Sequence, residues 1–87
     1  LIRLAGEGAR AHRRWLGVCG GLASNPLASP ILIGLGVTEF SVPRASIPPT
    51  KAAVRHLNSA TCGKLADHAC AATSAQEVHN IALEALR

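Results

Sequence analysis

Apolar residues along this chain change their spacing several times, and each change predicts an element. Leu1, Ile2, Leu4, Ala5 and Ala9 recur at helical intervals before the polar run Arg10, His12, Arg13 and Arg14, which predicts a helix ending there. Trp15, Leu16, Gly17 and Val18 then form a short apolar run closed by Cys19-Gly20-Gly21, the pattern of a buried strand entering a turn. Asn25 before Pro26 predicts a helix start, with Asn as the N-cap and Pro at the first helical position, where its missing N–H is harmless. That helix carries Leu27, Pro30, Ile31 and Leu32 and stops around Gly34 to Gly36.

The second half reads as one strand and then helices. Thr38-Glu39-Phe40-Ser41-Val42 has the β-branched and aromatic content of a strand, ended by Pro43. Ser46-Ile47-Pro48-Pro49 opens a helix with Lys51, Val54, Arg55 and Leu57 in its body, and Asn58 and Ser59 interrupt the pattern. A further helix holds Leu65, Ala66, Ala69 and Ala72. Ser74 with Glu77 three residues on forms a capping box, starting a last helix that buries Val78, Ile81, Ala82, Ala85 and Leu86. Two strands alternating with helices imply a parallel pair joined by a crossover. A parallel sheet is normally covered on both faces, so two strands are an unfinished one. The fold class is therefore α/β, one domain over residues 1–87, and the chain reads as a piece of something larger. Its start at Leu1, inside a helical pattern, reads the same way.

Composition sharpens this picture. Apolar residues make up 48% of 87, enough for a core, but they are mostly Ala, Leu, Ile and Val. With one Trp, one Phe and no Tyr, each buried side chain removes little area from water, and the core is thin. The net charge of +4 raises the question of nucleic acid. The densest cluster, Arg10, His12, Arg13 and Arg14, has no interleaved aromatics and no zinc-finger or RNA-recognition signature. A solvated helix end, where cations suit the macrodipole, accounts for it, so no nucleic-acid partner is expected. Cys19, Cys62 and Cys70 are an odd number without a CxxC pair, against a disulfide framework or structural zinc and in favour of a reducing, cytoplasmic setting. No apolar run is long enough to enter a bilayer.

Two stretches resemble a known family. Trp15-Leu16-Gly17-Val18-Cys19-Gly20, followed by Leu22-Ala23-Ser24-Asn25-Pro26-Leu27, is similar to the segment around the active-site cysteine of Enzyme I, the phosphoenolpyruvate–protein phosphotransferases of bacterial sugar-uptake systems. Leu32-Ile33-Gly34-Leu35-Gly36-Val37-Thr38-Glu39-Phe40-Ser41-Val42, then Ser46-Ile47-Pro48 and Lys51, resembles the family's last strand and following helix. The resemblance implies the C-terminal fragment of a (β/α)8 barrel, holding its last two strands. A whole barrel needs about 250 residues. It further implies a phosphotransferase that uses phosphoenolpyruvate and Mg²⁺, with the metal ligands outside this chain. The phosphoryl group would pass to a histidine on a separate N-terminal domain and on to a histidine phosphocarrier protein, and the barrel domain would form a homodimer. Cys19 would protonate the enolate to give pyruvate. The family usually has Glu after Cys-Gly, where this chain has Gly21.

The residues agree with that role for Cys19. It follows the first strand, at the end where parallel barrels place catalytic groups, and an ordinary thiol, with a pKa of about 8.5, carries its proton at neutral pH. The competing reading is a packed core cysteine. His12, His56, His68 and His79 fall in no family motif and are expected on solvated helix faces. Cys62 and Cys70 are expected to be small packing residues. The main alternative function is a non-catalytic helical association module. Residues 15–18 and 38–42 should be parallel neighbours joined through the helix after Asn25; coordinates showing a hairpin, or helix in either segment, would defeat this reading.

Overall fold

A computed structural model describes residues 1–85; Leu86, expected to be buried, lies outside them. The chain runs α1 (Ile2–Ala11), β1 (Gly17–Val18), a 3₁₀ turn (Gly21–Ser24), α2 (Ser29–Gly34), β2 (Glu39–Phe40), a second 3₁₀ turn (Arg44–Ser46), α3 (Ile47–Arg55), α4 (Ser59–Ala71) and α5 (Ala75–Ala85). β1 and β2 pair in parallel, Gly17 opposite Glu39 and Val18 opposite Phe40. The expected parallel neighbours are therefore present. Both strands are shorter and wetter than expected: Trp15 is 83% exposed, and Val18 and Phe40 are only half-buried. Each strand pairs only with the other among the described residues, so each keeps one edge unpaired there. Its ends are Thr38 N–H donating to the Leu16 carbonyl at 2.9 Å and Ser41 N–H donating to the Val18 carbonyl at 2.8 Å.

The core lies between α2 and α4. Ser29, Leu32, Cys62, Ala66 and Ala69 are buried there, with Ala23 and Val37 beside them and Ala82 of α5 against α4. Glycine sets the spacing. A methyl group at Gly34 would overlap the Cys62 carbonyl and crowd Ala66 Cβ, at 2.8 Å. A methyl at Gly6 would overlap the Leu35 carbonyl oxygen. That second contact corrects the expected face of α1. Ile2, Gly6 and Ala9, one face at intervals of four and three, turn inward, while Leu1 and Leu4 are 102% and 69% exposed. The closest backbone approach, not the largest side chain, decides which face packs.

Two other expectations are corrected. Asn25 does not cap a continuous helix. Its Oδ1 accepts from Leu27 N–H at 3.0 Å, and its carbonyl accepts from Ala28 N–H at 2.9 Å, closing a separate turn before α2 begins at Ser29. A helix running from Pro26 would need a Pro30 N–H to reach the Pro26 carbonyl, and Pro30 has none. Beginning at Ser29 puts Pro30 in the first turn, where no donor is needed. Leu57, expected inside α3, lies beyond its end at Arg55, with its N–H donating to Val54.

Both helices that lead into strands end alike. After α2, Gly36 N–H donates to Ile33 and Val37 N–H to Leu32, with Gly36 left-handed at φ 102. After α1, Arg13 N–H donates to Arg10 and Arg14 N–H to Ala9, with Arg13 left-handed at φ 54. This is the Schellman ending in each case, with an arginine where its counterpart has glycine. Farther on, the Asn58 side chain caps α4 by accepting from Ala60 and Thr61 N–H. Ser74 Oγ accepts from Glu77 N–H at 3.1 Å. Glu77 Oε2 accepts from Thr73 N–H and Thr73 Oγ1, and these donors hold its carboxyl below the usual carboxylate range.

Three outcomes follow from this packing. Gly34→Ala forces the α2–α4 crossing apart, and overpacking of this kind costs about 1–3 kcal/mol, readable from denaturant midpoints. The Glu77 contribution is present above the ordinary glutamate range and is lost as pH falls through its depressed value, so Thr73 and Glu77 amides should lose hydrogen-exchange protection there and Glu77→Gln should blunt the change. The exposed Leu1, Leu4 and Trp15, and an apolar groove of about 420 Å³ bordered by Ile33, Val37, Phe40, Val42, Ile47 and Val54, invite association of the isolated chain. Sedimentation should show oligomers or exchange should show a poorly ordered end; a compact, uniformly protected monomer contradicts this.

Candidate functional site at the carboxyl end of the parallel pair

Cys19 directly follows β1, at the carboxyl end of the parallel pair, and is exposed. The core-cysteine reading therefore does not hold for it. Its position is fixed from two sides. The Ser41 N–H to Val18 carbonyl bond ties the residue before it to the end of β2. The residue after it, Gly20, turns the chain away at φ 87, a conformation that side-chain-bearing residues rarely adopt. The 3₁₀ turn that follows is anchored by Ala23, which is completely buried.

Gly21 is a different kind of glycine. Its φ is not left-handed, and nothing lies within 4 Å of the place a Cβ would occupy. The backbone does not require glycine there, so the position accepts the Glu usual in the resembling family.

The other sequence candidates are not gathered around Cys19. Cys62 is buried under Gly34 in the α2–α4 interface, as a packing residue should be, and burial pushes its thiol up. Cys70 is exposed, which corrects its expected packing role; the small residues that α4 buries are Cys62, Ala66 and Ala69. His12, His56, His68 and His79 are all exposed on or beside helices. Among the described residues no three His, Cys, Asp or Glu side chains come together as a metal site. No helix among them is long and apolar enough to cross a membrane.

One connection had no signal in the residue pattern. Arg3 Nη2 donates to Asp67 Oδ1 at 2.6 Å, clasping α1 to α4, and the Asp67 carboxylate raises Arg3 above its usual range. The partners are 64 residues apart, and spacing along a chain does not reveal such a pair.

The family description "PEP-utilising enzyme, PEP-binding domain" matches residues 1–59, which contain both strands and Cys19. The chain belongs to that family. It is 44% identical over its whole length to a multiphosphoryl transfer protein of Xanthomonas campestris pv. campestris, covering 10% of that protein. It is 38% identical over 93% of its length to a phosphoenolpyruvate-protein phosphotransferase of Mycoplasma pneumoniae, covering 14% of it. A phosphoenolpyruvate-protein phosphotransferase of Streptomyces coelicolor is 40% identical over 94% of the chain, which covers 15% of that relative. The chain thus spans a small fraction of the length of these relatives.

The two glycines beside Cys19 should respond oppositely. Gly20→Ala forces an L side chain into a left-handed conformation and costs about 1–2 kcal/mol. Gly21→Glu should leave stability within about 0.5 kcal/mol, like other exposed substitutions. Thermal or denaturant unfolding of both variants makes the comparison.

Proposed function

We propose that this chain is the closing segment of a (β/α)8 barrel in a phosphoenolpyruvate-dependent protein phosphotransferase, and that Cys19 donates the proton that completes pyruvate. The observation that carries the reading is the place of Cys19. It is an exposed thiol at the carboxyl end of a parallel strand, followed by a glycine turn, within the segment that matches a PEP-binding domain. Parallel barrels hold their catalytic groups at that end of the strands.

The chemistry balances as follows. The bond from phosphorus to the enol oxygen of phosphoenolpyruvate breaks and a bond from phosphorus to a histidine nitrogen forms, leaving the enolate of pyruvate. The enolate's π electrons take the Cys19 proton at the methylene carbon. A C–H bond forms, the S–H bond breaks, and the thiolate regains a proton from solvent. Cys19 acts in the second step only. The groups that stabilise the transferring phosphoryl charge, where most of the catalysis of such reactions lies, are in this reading upstream of the chain, as are the carboxylates for Mg²⁺. The phosphorylated histidine then serves a histidine phosphocarrier protein of a cytoplasmic sugar-uptake system, and the barrel domain pairs as a homodimer.

In the full-length parent, Cys19→Ala should slow turnover at saturating phosphoenolpyruvate and Mg²⁺ by about 10²–10⁴-fold, the usual worth of a positioned general acid, with KM little changed. Cys19→Ser should recover little, because a hydroxyl is a much weaker acid than a thiol. Near-normal turnover of Cys19→Ala would assign Cys19 to structure. The isolated 87-residue chain should neither consume phosphoenolpyruvate nor become phosphorylated.

A further inference from the structure

At the opposite end of the strands from Cys19, the two Schellman endings meet. A hollow of about 420 Å³ lies between them, lined by Arg10, Arg13 and Arg14 from the end of α1 and by Gly36, Val37 and Thr38 at the entry to β2. Three arginines line one concavity, and no carboxylate-bearing residue is among its lining residues. Among the described residues none of the three is in an ion pair; Arg3 is the arginine that is, with Asp67. Arg10 Nη2 reaches across Gly36, 3.8 Å from where a Cβ would stand.

The macrodipole of α1, which on the sequence alone accounts for the cluster, does not account for three arginines gathered at one hollow. A helix carboxyl end presents about half a negative charge, and three guanidiniums exceed it several-fold. Arg13 adds an independent observation. It occupies the left-handed position of its Schellman ending, where an L residue other than glycine is strained, whereas the neighbouring loop uses Gly36 for the same geometry. A side chain kept at a position that favours having none points to a use for that side chain.

We propose that this hollow is an anion site for the phosphate group of a small phosphorylated ligand, gripped by Arg10, Arg13 and Arg14. Guanidinium forks match phosphate oxygens two at a time. The backbone donors of the second loop are already committed: Gly36 to Ile33, Val37 to Leu32 and Thr38 to Leu16. The Thr38 hydroxyl is engaged with Leu16 as well. Recognition therefore falls to the arginines, and the loop supplies a floor. A small anion fits this concave cluster better than a duplex does, which would need cations spread along a groove-length surface. The site does not rest on the role of Cys19. The run from Leu16 to Cys19 is on the order of 10 Å of extended chain, so a ligand here is separate from one beside the thiol.

The test uses the full-length parent with inorganic pyrophosphate as the probe, read by calorimetry and by hydrogen-exchange mass spectrometry. Saturable binding should slow exchange in the segments covering 10–16 and 36–38. Arg13→Gly is the decisive variant, because it relieves the left-handed strain while removing one guanidinium. It should unfold at higher denaturant than the parent yet bind pyrophosphate on the order of 10–100-fold more weakly, the loss of one charge-assisted contact, with KM for phosphoenolpyruvate unchanged. Arg13→Lys should retain part of the affinity. The proposal is overturned by unchanged affinity in Arg13→Gly, by protection confined to the segment around Cys19, or by an effect that chloride of equal ionic strength reproduces. Steeply salt-dependent binding of a generic DNA duplex at the cluster, without saturable pyrophosphate binding, would overturn it in favour of a nucleic-acid surface.

Discussion

The contact on which the rest of the structure depends is the crossing of α2 and α4 at Gly34. With no side chain there, the backbone of α2 lies directly against the Cys62 carbonyl and Ala66. This lets a core made of Ala, Cys, Ser and one Leu close without large side chains. Dispersion energy depends steeply on distance, so small residues compensate for their size by drawing two helices together. The same device recurs at Gly6, where α1 meets the Leu35 carbonyl. Two glycines thus bring α4 against the body of α2 and α1 against the residue that follows it. The Arg3–Asp67 pair links α1 directly to α4; being solvent-exposed, it fixes orientation more than it adds stability.

That arrangement determines where the strands lie. α1 and α2 run into β1 and β2 through the same hydrogen-bonded ending, one at Arg13 and one at Gly36. Each strand leaves its helix by the same local geometry, and the two pair in parallel with Gly17 opposite Glu39. Thr38 reinforces it by accepting from the Leu16 N–H and donating to the Leu16 carbonyl. Cys19 then emerges at a position set by these helix endings.

Much of this was legible in the sequence, and the parts that were not have two different causes. The helices after Asn58 and Ser74 were readable because caps are local chemistry: Asn58 Oδ1 and Ser74 Oγ bond to N–H groups two or three residues away. The parallel relation of the strands followed from topology. For the face of α1, a neighbour distant along the chain decided the outcome. Leu1 and Leu4 look like the core face of α1, and only the approach of Leu35 to Gly6 turns that helix over. The start of α2 was misjudged for a local reason that was visible, the missing N–H of Pro30. At the candidate site the place of Cys19, directly after the first strand, was legible from the strand-then-glycine pattern, while its exposure was not. The left-handed Arg13 carried no such mark, since the residue types that usually signal that conformation are glycine and asparagine.

The exposure of Cys19 bears on how the chemistry divides between this chain and the polypeptide it would belong to. A thiol open to solvent exchanges its proton with water, and water is itself a proton source for an enolate. Cys19 can outcompete it only where the carbanion-like carbon is held at the thiol and solvent is displaced, because positioning accounts for much of such rate gains. Nothing in the two strands supplies that enclosure. What they supply is a fixed point, a short strand end tied by the bond from Ser41 to Val18 and a glycine turn that leads the chain away. In the proposed reading this chain places the acid, and the enclosure that makes its proton count comes from whatever packs over the carboxyl end of the strands.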